Sequence, residues 1–349
     1  MEVPGTIRAV RITEHGGPER LELVEVAVPV PREGEVLVRV GAVALNNTDL
    51  WTREGSYGRP GAPDALSGWR GPIDFPRIQG ADVVGRVVAV GVDAEESLLG
   101  RRMLVDPAIH DSGGPGANPV GLMGSERDGG YAEYVTVPME RVHDVTESPL
   151  TDEQLAALPI AYGTALGMIE RGGAEEGGTV VVSGASGGVG LALVQLARER
   201  GARVLAISSG SKIDSVREAG AHHVVDRAQG IVEQIRTVAP EGIDIVLDVI
   251  AGDFSGEGLP LLREGGRWVV AGALGGYDVN FDVRRLYLHN NRIIGSAMHA
   301  PRHFDLLVDL ARRAGIQPVV AATFPLEQAA RTQEELARRE HVGKIVMHP

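Results

Sequence analysis

The 349-residue chain contains no cysteine, and that absence removes several chemistries at once. A disulfide framework, a thiolate nucleophile and a cysteine-ligated zinc are all excluded. Aromatic residues are scarce, with 3 Trp, 6 Tyr and 5 Phe against 47 Gly. The cores must therefore be built from Val, Ala, Leu and Ile between many tight turns. No run reaches the ~20 apolar residues of a membrane span, and Met1 to Gly5 lack the basic flank and apolar stretch of a signal peptide. A cytoplasmic protein without a membrane partner is expected. Positive charge is also short: 34 Lys and Arg against 47 Asp and Glu give a net charge of −13, which disfavours nucleic acid as a partner.

What remains is an ordinary globular composition, 43% apolar and 23% charged, in a chain long enough for two domains at roughly 150 residues each. The first third reads as short β-branched strands, Ile7 to Ile12, Leu21 to Val26, Val36 to Val43, Val83 to Val90 and Tyr131 to Val137. They suggest a small, mostly antiparallel barrel. Gly55 to Pro76 and Asp111 to Gly130 read as long loops. Thr151-Asp152-Glu153-Gln154 has the form of a capping box and predicts a helix start. From Gly178 the pattern alternates strand and helix through Ala271, with a helix placed near Gly258 to Leu262 and a further strand at Arg292 to Ser296. Such alternation predicts a parallel sheet covered on both faces. The chain ends with helices at Phe304 to Arg313 and Leu326 to Arg339 and a strand at Gly343 to Met347. The expected division is 1–150, 151–296 and a return, 297–349, to the first domain.

The stretch from Val180 to Gly190, VVVSGASGGVG, is an apolar strand entering a glycine turn that opens a helix. Glycine suits such a turn because a pyrophosphate can then approach main-chain N–H groups, and the helix can pack close on its strand. Ser186, Gly187, Gly188 and Val189 are the candidate dinucleotide contacts. The next strand ends in Ser208-Ser209-Gly210-Ser211-Lys212, with no acid for ribose hydroxyls. Two hydroxyls and an ammonium can instead bind a 2′-phosphate, so NADPH is favoured over NADH; alternatively, Lys212 is a solvated residue of the following turn.

Five stretches together resemble the medium-chain dehydrogenase/reductase superfamily: Val43 to Asp49, Gln79 to Gly85, Asp128 to Val135, Ser183 to Gly190 and His341 to Val346. The resemblance implies an α/β chain with a GroES-like β-barrel catalytic domain and a Rossmann doubly wound parallel sheet. Where zinc alcohol dehydrogenases of that superfamily carry metal ligands, this sequence has Asn46 and Ala81, so no metal is expected. The nearer likeness is to the zinc-free quinone oxidoreductase and enoyl reductase branch, whose hallmark Asn and Tyr fall on Asn46 and Tyr57. By that likeness both are catalytic candidates, with Tyr57 or a bound water supplying the proton to an enone reduced by hydride. Asn46 can also be read as turn chemistry and Tyr57 as a packed aromatic.

The resemblance further implies cofactor contacts toward the nicotinamide at Thr164, at Ala273 and Leu274 after the fifth strand and at Met298 after the strand Arg292 to Ser296, and one at Arg227 on the adenine side. Gly58 to Phe75, with Trp69, is longer than the branch leads one to expect and is a candidate substrate-mouth loop. The expected function is reduction of quinones or enones by NADPH. A zinc-free carbonyl reductase or alcohol dehydrogenase and a low-turnover NADPH-binding scaffold are the alternatives. A homodimer closed through the Arg292 to Ser296 edge is the expected assembly.

Overall fold

The computed structural model describes residues 3–58 and 67–349, and it divides the chain into two compact units, 1–160 with 300–349, and 161–299. The proposed mouth loop therefore lies in part outside the described residues.

The first unit is β-rich because its apolar residues come in short runs dominated by Val. β1 (Thr6–Ile12), β2 (Leu21–Ala27), β3 (Glu35–Ala44), α1 (Asn47–Glu54), β4 (Arg77–Ile78) and β5 (Asp82–Val90) come first. They are followed by β6 (Arg102–Val105), β7 (Ala108–His110), β8 (Pro119–Leu122), β9 (Tyr134–Pro138), β10 (Val142–Asp144) and α2 (Asp152–Ala156). β7 and β8 pair antiparallel, so the segment from Asp111, expected to be loop, contains the second arm of a hairpin. Its Gly and Pro content conceals the pattern. The strand expected from Tyr131 begins only at Tyr134; Tyr131 is instead a buried junction whose N–H donates to Gln79 O and whose carbonyl accepts from Val10 N–H.

The second unit alternates strand and helix. It opens with most of α3 (Pro159–Gly172) and continues through β11 (Thr179–Val182), α4 (Gly188–Glu199), β12 (Arg203–Ser208), α5 (Ile213–Glu218), β13 (His223–Asp226) and α6 (Ile231–Val238). β14 (Ile243–Asp248), α7 (Asp253–Gly258), β15 (Leu262–Val270), α8 (Val283–Leu288) and β16 (Arg292–Gly295) complete it. All six strands are parallel, in the order β13-β12-β11-β14-β15-β16. This is the doubly wound arrangement that the alternation predicts, with the reversal of strand order between β11 and β14. The helix expected near Gly258 to Leu262 is there as a single 3-10 turn, Leu259–Leu261, which follows α7 directly and ends where the chain becomes strand at Leu262.

The chain then returns to the first unit through α9 (Pro301–Arg312), β17 (Val320–Pro325), α10 (Ala329–Arg338) and β18 (Lys344–His348). β18 pairs antiparallel with β3 and parallel with β17, closing the main sheet in the order β10-β6-β5-β3-β18-β17, with β9 also on β3. The core of this sheet is mostly aliphatic, with Val38, Val83, Met103, Tyr131, Ile345 and Met347 buried. A last strand, some 260 residues from β5, thus delivers Lys344 into the middle of the first unit.

Candidate active site

In the first unit, polar chemistry gathers where β3 ends and α1 begins. Asn46 precedes α1, and Asp49 three residues on accepts the Asn46 N–H at 2.7 Å. Asn46 is buried and its amide is engaged on both sides. Its Nδ2 donates to Asp82 Oδ2 at 2.9 Å, and its Oδ1 accepts from Lys344 Nζ. Lys344 also donates to Leu45 O at 2.6 Å and to Asp82 at 3.0 Å, while the other Asp82 oxygen accepts Ile160 N–H at 2.7 Å. A buried ammonium and carboxylate are tolerated because each has a full set of partners.

Around this pair runs a second buried chain. Gln79 Nε2 donates to Asp49 O at 2.8 Å, Gln333 Nε2 to Gln79 Oε1 at 3.1 Å, and Arg53 Nε to Gln333 Oε1 at 2.8 Å. It ties α10 to both ends of α1. Burial is the main reason that the Asp49 carboxyl is pushed up to about 7, opposed by the Asn46 N–H and by Lys344 and reinforced by Asp82.

Tyr57 folds back along α1. Its hydroxyl donates to Thr48 Oγ1 at 2.8 Å and its ring packs edge-on to Trp51 at 5.5 Å. Burial raises its phenol above the ordinary tyrosine value, so it stays protonated through the neutral range. The two catalytic candidates thus share the first turn of α1, with Asn46 preceding it and Tyr57 reaching it through Thr48. Asp49, Asp82, Lys344 and Thr48 are functional neighbours without an assigned role in the sequence reading. Each lies in or beside a motif stretch, but nothing in the sequence says which of them meet.

In the second unit the cofactor candidates fall on one edge of the sheet, since parallel strands all end on the same side. Ser186, Gly187, Gly188 and Val189 follow β11; Ser208, Ser209 and Lys212 end or follow β12; Arg227 follows β13; Ala273 and Leu274 follow β15; Met298 follows β16. Thr164 is buried on α3.

The turn after β11 is built for close approach. Gly184 takes φ +58°, Gly187 caps α4, and a Cβ on Gly190 would overlap Gly184 O and Ala185 Cα. At the reversal of strand order, the Asp248 carboxylate gathers donors from Ser183, Ser255, Trp268 and the N–H groups of Ile250 and Ala251. This fixes the loops after β11 and β14 to each other. Asp248 carries no sequence signal beyond standing at the end of a strand.

A nicotinamide dinucleotide fits these residues. The α4 N-terminus follows a glycine turn with no room for a Cβ at Gly190, and the buried Ser208 hydroxyl has no hydrogen-bond partner among the described residues. The nearest acid in register is Asp226 on β13, opposite Ser208. Its carboxylate is engaged by Ala228 N–H at 3.0 Å and Gln229 Nε2 at 3.1 Å.

Comparison with known proteins agrees with both units. Residues 32–147 match the family model described as an alcohol dehydrogenase GroES-like domain, and residues 188–322 the one described as zinc-binding dehydrogenase. Human (Homo sapiens) quinone oxidoreductase is 32% identical over 98% of this chain and 97% of its own. A crystal structure from Sinorhizobium meliloti 1021, whose name places it among the alcohol dehydrogenases, superimposes with a TM-score of 0.95 at 41% identity, covering 99% of this chain and 98% of that one. The 2-octenoyl-CoA carboxylase reductase CinF, solved with NADP and 2-octenoyl-CoA, gives a TM-score of 0.83 at 25% identity, covering 99% of this chain and 88% of its own.

Proposed function

Because the chain belongs to the medium-chain dehydrogenase/reductase superfamily, in its quinone oxidoreductase branch, we propose that it is an NADPH-dependent, zinc-independent reductase of quinones or α,β-unsaturated carbonyl compounds. It is an oxidoreductase, and its family implies a nicotinamide cofactor. The finer reading rests on one observation above all. At the place where a metal ligand would stand, Asn46 has its amide nitrogen on Asp82 and its amide oxygen on Lys344. An amide so committed is a poor zinc ligand, and Ala81, at the second such place in the sequence, has no side-chain donor to offer.

Bound at the edge described above, the cofactor supplies a hydride. The protein's own work is then to hold the dinucleotide, stabilise charge on the substrate oxygen and provide a proton. Gly187 and Gly188 at the start of α4 leave the helix N–H groups open to a pyrophosphate. Ser208, Ser209 and Lys212 supply two hydroxyls and an ammonium for a 2′-phosphate. Arg227, whose N–H donates to Ser208 O at 2.8 Å, extends the same cluster. Tyr57, held protonated and directed onto Thr48, is the proton source in this reading. Asn46, locked by Asp82 and Lys344, fixes the start of α1 from which Thr48 and Tyr57 act.

CinF was solved with an NADP cofactor and an enoyl thioester, and the human relative is named for quinones; both support the substrate class without selecting within it. Elemental analysis together with paired NADPH and NADH titrations tests the reading. No stoichiometric metal and tighter NADPH binding are expected. One zinc per chain, or equal affinity for the two cofactors, would contradict it.

The proposal includes a homodimer. β16 is an edge strand carrying exposed Ile293, and the preceding α8 leaves Val283, Tyr287 and Leu288 exposed as well. An unpaired apolar edge is a template for a second chain. No nucleic-acid or membrane partner is proposed: the net charge is −13, and no helix among the described residues is long and apolar enough to cross a membrane.

A further inference from the structure

One side chain in the second unit governs the segment that leaves the last strand. β16 ends at Gly295, and three residues on, the buried Met298 adopts φ +44°. A residue with a Cβ keeps that left-handed conformation only where its surroundings hold it. Arg171, near the end of α3, provides the hold. Its Nη1 donates to Ser296 Oγ at 2.9 Å and to the Met298 carbonyl at 3.1 Å. One guanidinium nitrogen thus ties the end of the strand, at Ser296, to the bend residue Met298.

Two glycines on the same helix allow the fit. A Cβ on Gly167 would overlap the Met298 carbonyl, and one on Gly163 the His299 ring. Gly163, Gly167 and Arg171 are spaced four apart and share one face of α3. Thr164, another candidate for the nicotinamide end, follows Gly163 on this helix. The helix carrying one candidate therefore fixes the backbone of the other.

We propose that Arg171 is a positioning residue for the nicotinamide end of the cofactor, acting through the backbone of Met298 without itself touching the dinucleotide. The proposal rests on the reading of Met298 as a cofactor contact. Its logic is that α3 and the segment after β16 form one rigid piece. Loss of Arg171 releases the Met298 carbonyl and lets the residue relax from the left-handed conformation. The adenine end, held after β11 and β12, does not depend on that contact.

The test compares ligands that share one end only. NADPH and 2′,5′-ADP are titrated against the wild type, Arg171→Met and Arg171→Lys, following the fluorescence of bound NADPH and the heat of 2′,5′-ADP binding; NADH and 5′-AMP are run in parallel. Arg171→Met is expected to weaken NADPH by roughly tenfold or more, a scale set by the loss of charge-assisted hydrogen bonds. 2′,5′-ADP should stay within about twofold of the wild type, the usual spread for a contact left untouched. Arg171→Lys, which keeps a charged donor, should recover part of the loss. A purely structural role would weaken both ligands together, and that result, or unchanged NADPH affinity, overturns the proposal. If Arg171→Met fails to fold, the contrast is read from Arg171→Lys, where equal effects on the two ligands also overturn it. Wild-type protein that binds neither NADPH nor NADH would instead refute the cofactor reading, and this inference with it.

Discussion

Single residues separate the parts of the site that sequence can show from those that it cannot. The glycine turn and the Ser208 to Lys212 run are legible because their members are consecutive, and one strand end presents them together. Lys212→Ala should weaken NADPH by roughly 10- to 100-fold, the scale of one charge-assisted contact, and leave NADH nearly unchanged, as checked by titration of both. Tyr57 stands nine residues from Thr48, yet only the fold shows that its hydroxyl donates there. If that hydroxyl delivers the proton, Tyr57→Phe should lower turnover ~10²–10⁴-fold with cofactor affinity preserved. A fall under about threefold in steady-state rate would reduce Tyr57 to packing. Asp82 and Lys344 meet across 262 positions, and Ser183 and Asp248 across 65. Nothing in a linear pattern pairs them, because such partners are chosen by strand order and register.

Elements were legible where their causes are local. The Thr151 capping box forms as its spacing predicts, with Gln154 N–H donating to Thr151 Oγ1 at 3.3 Å and Thr151 N–H to Gln154 Oε1 at 3.0 Å. The alternation from β11 onward is clearest where β11, α4, β12 and β14 each bury an apolar run. α1 was harder to see. Its moderate amphipathicity offers little period, and it depends on contacts made by Asp49 and Arg53 within the fold.

That dependence gives α1 a pH signature. Asp49 is buried and its folded pKa is raised to about 7, so between the ordinary carboxyl value and 7 the folded protein holds a proton that the unfolded chain releases. This contribution to stability is fully present below about pH 4 and is lost as pH rises through about 7. Asp49→Asn still offers an acceptor to Asn46 N–H but cannot titrate. Urea unfolding at acidic and at mildly alkaline pH should show wild-type stability falling relative to Asp49→Asn as pH rises. Parallel pH dependence in the two proteins would contradict the assignment.

The whole molecule joins a β-rich unit to a doubly wound sheet, and both were legible in outline because each has its own period. Assembly rests on one strand, Arg292 to Ser296, expected at the edge of the sheet and found last in the strand order as β16. With β16 at the edge and Ile293 exposed, Ile293→Glu should shift the protein from dimer toward monomer in sedimentation equilibrium, while NADPH affinity is retained. A wild-type monomer would remove the proposed dimer.

The central claim is hydride transfer to an activated double bond without metal, and one measurement reaches it directly. Purified protein treated with a chelator is mixed with NADPH and, in turn, with a quinone, an enone and the corresponding saturated ketone, and the loss of reduced-nicotinamide absorbance is followed. Consumption with the quinone or the enone, none with the saturated ketone, and no effect of the chelator are expected. Turnover of the saturated ketone, or activity that disappears with the chelator and returns with zinc, would contradict that claim.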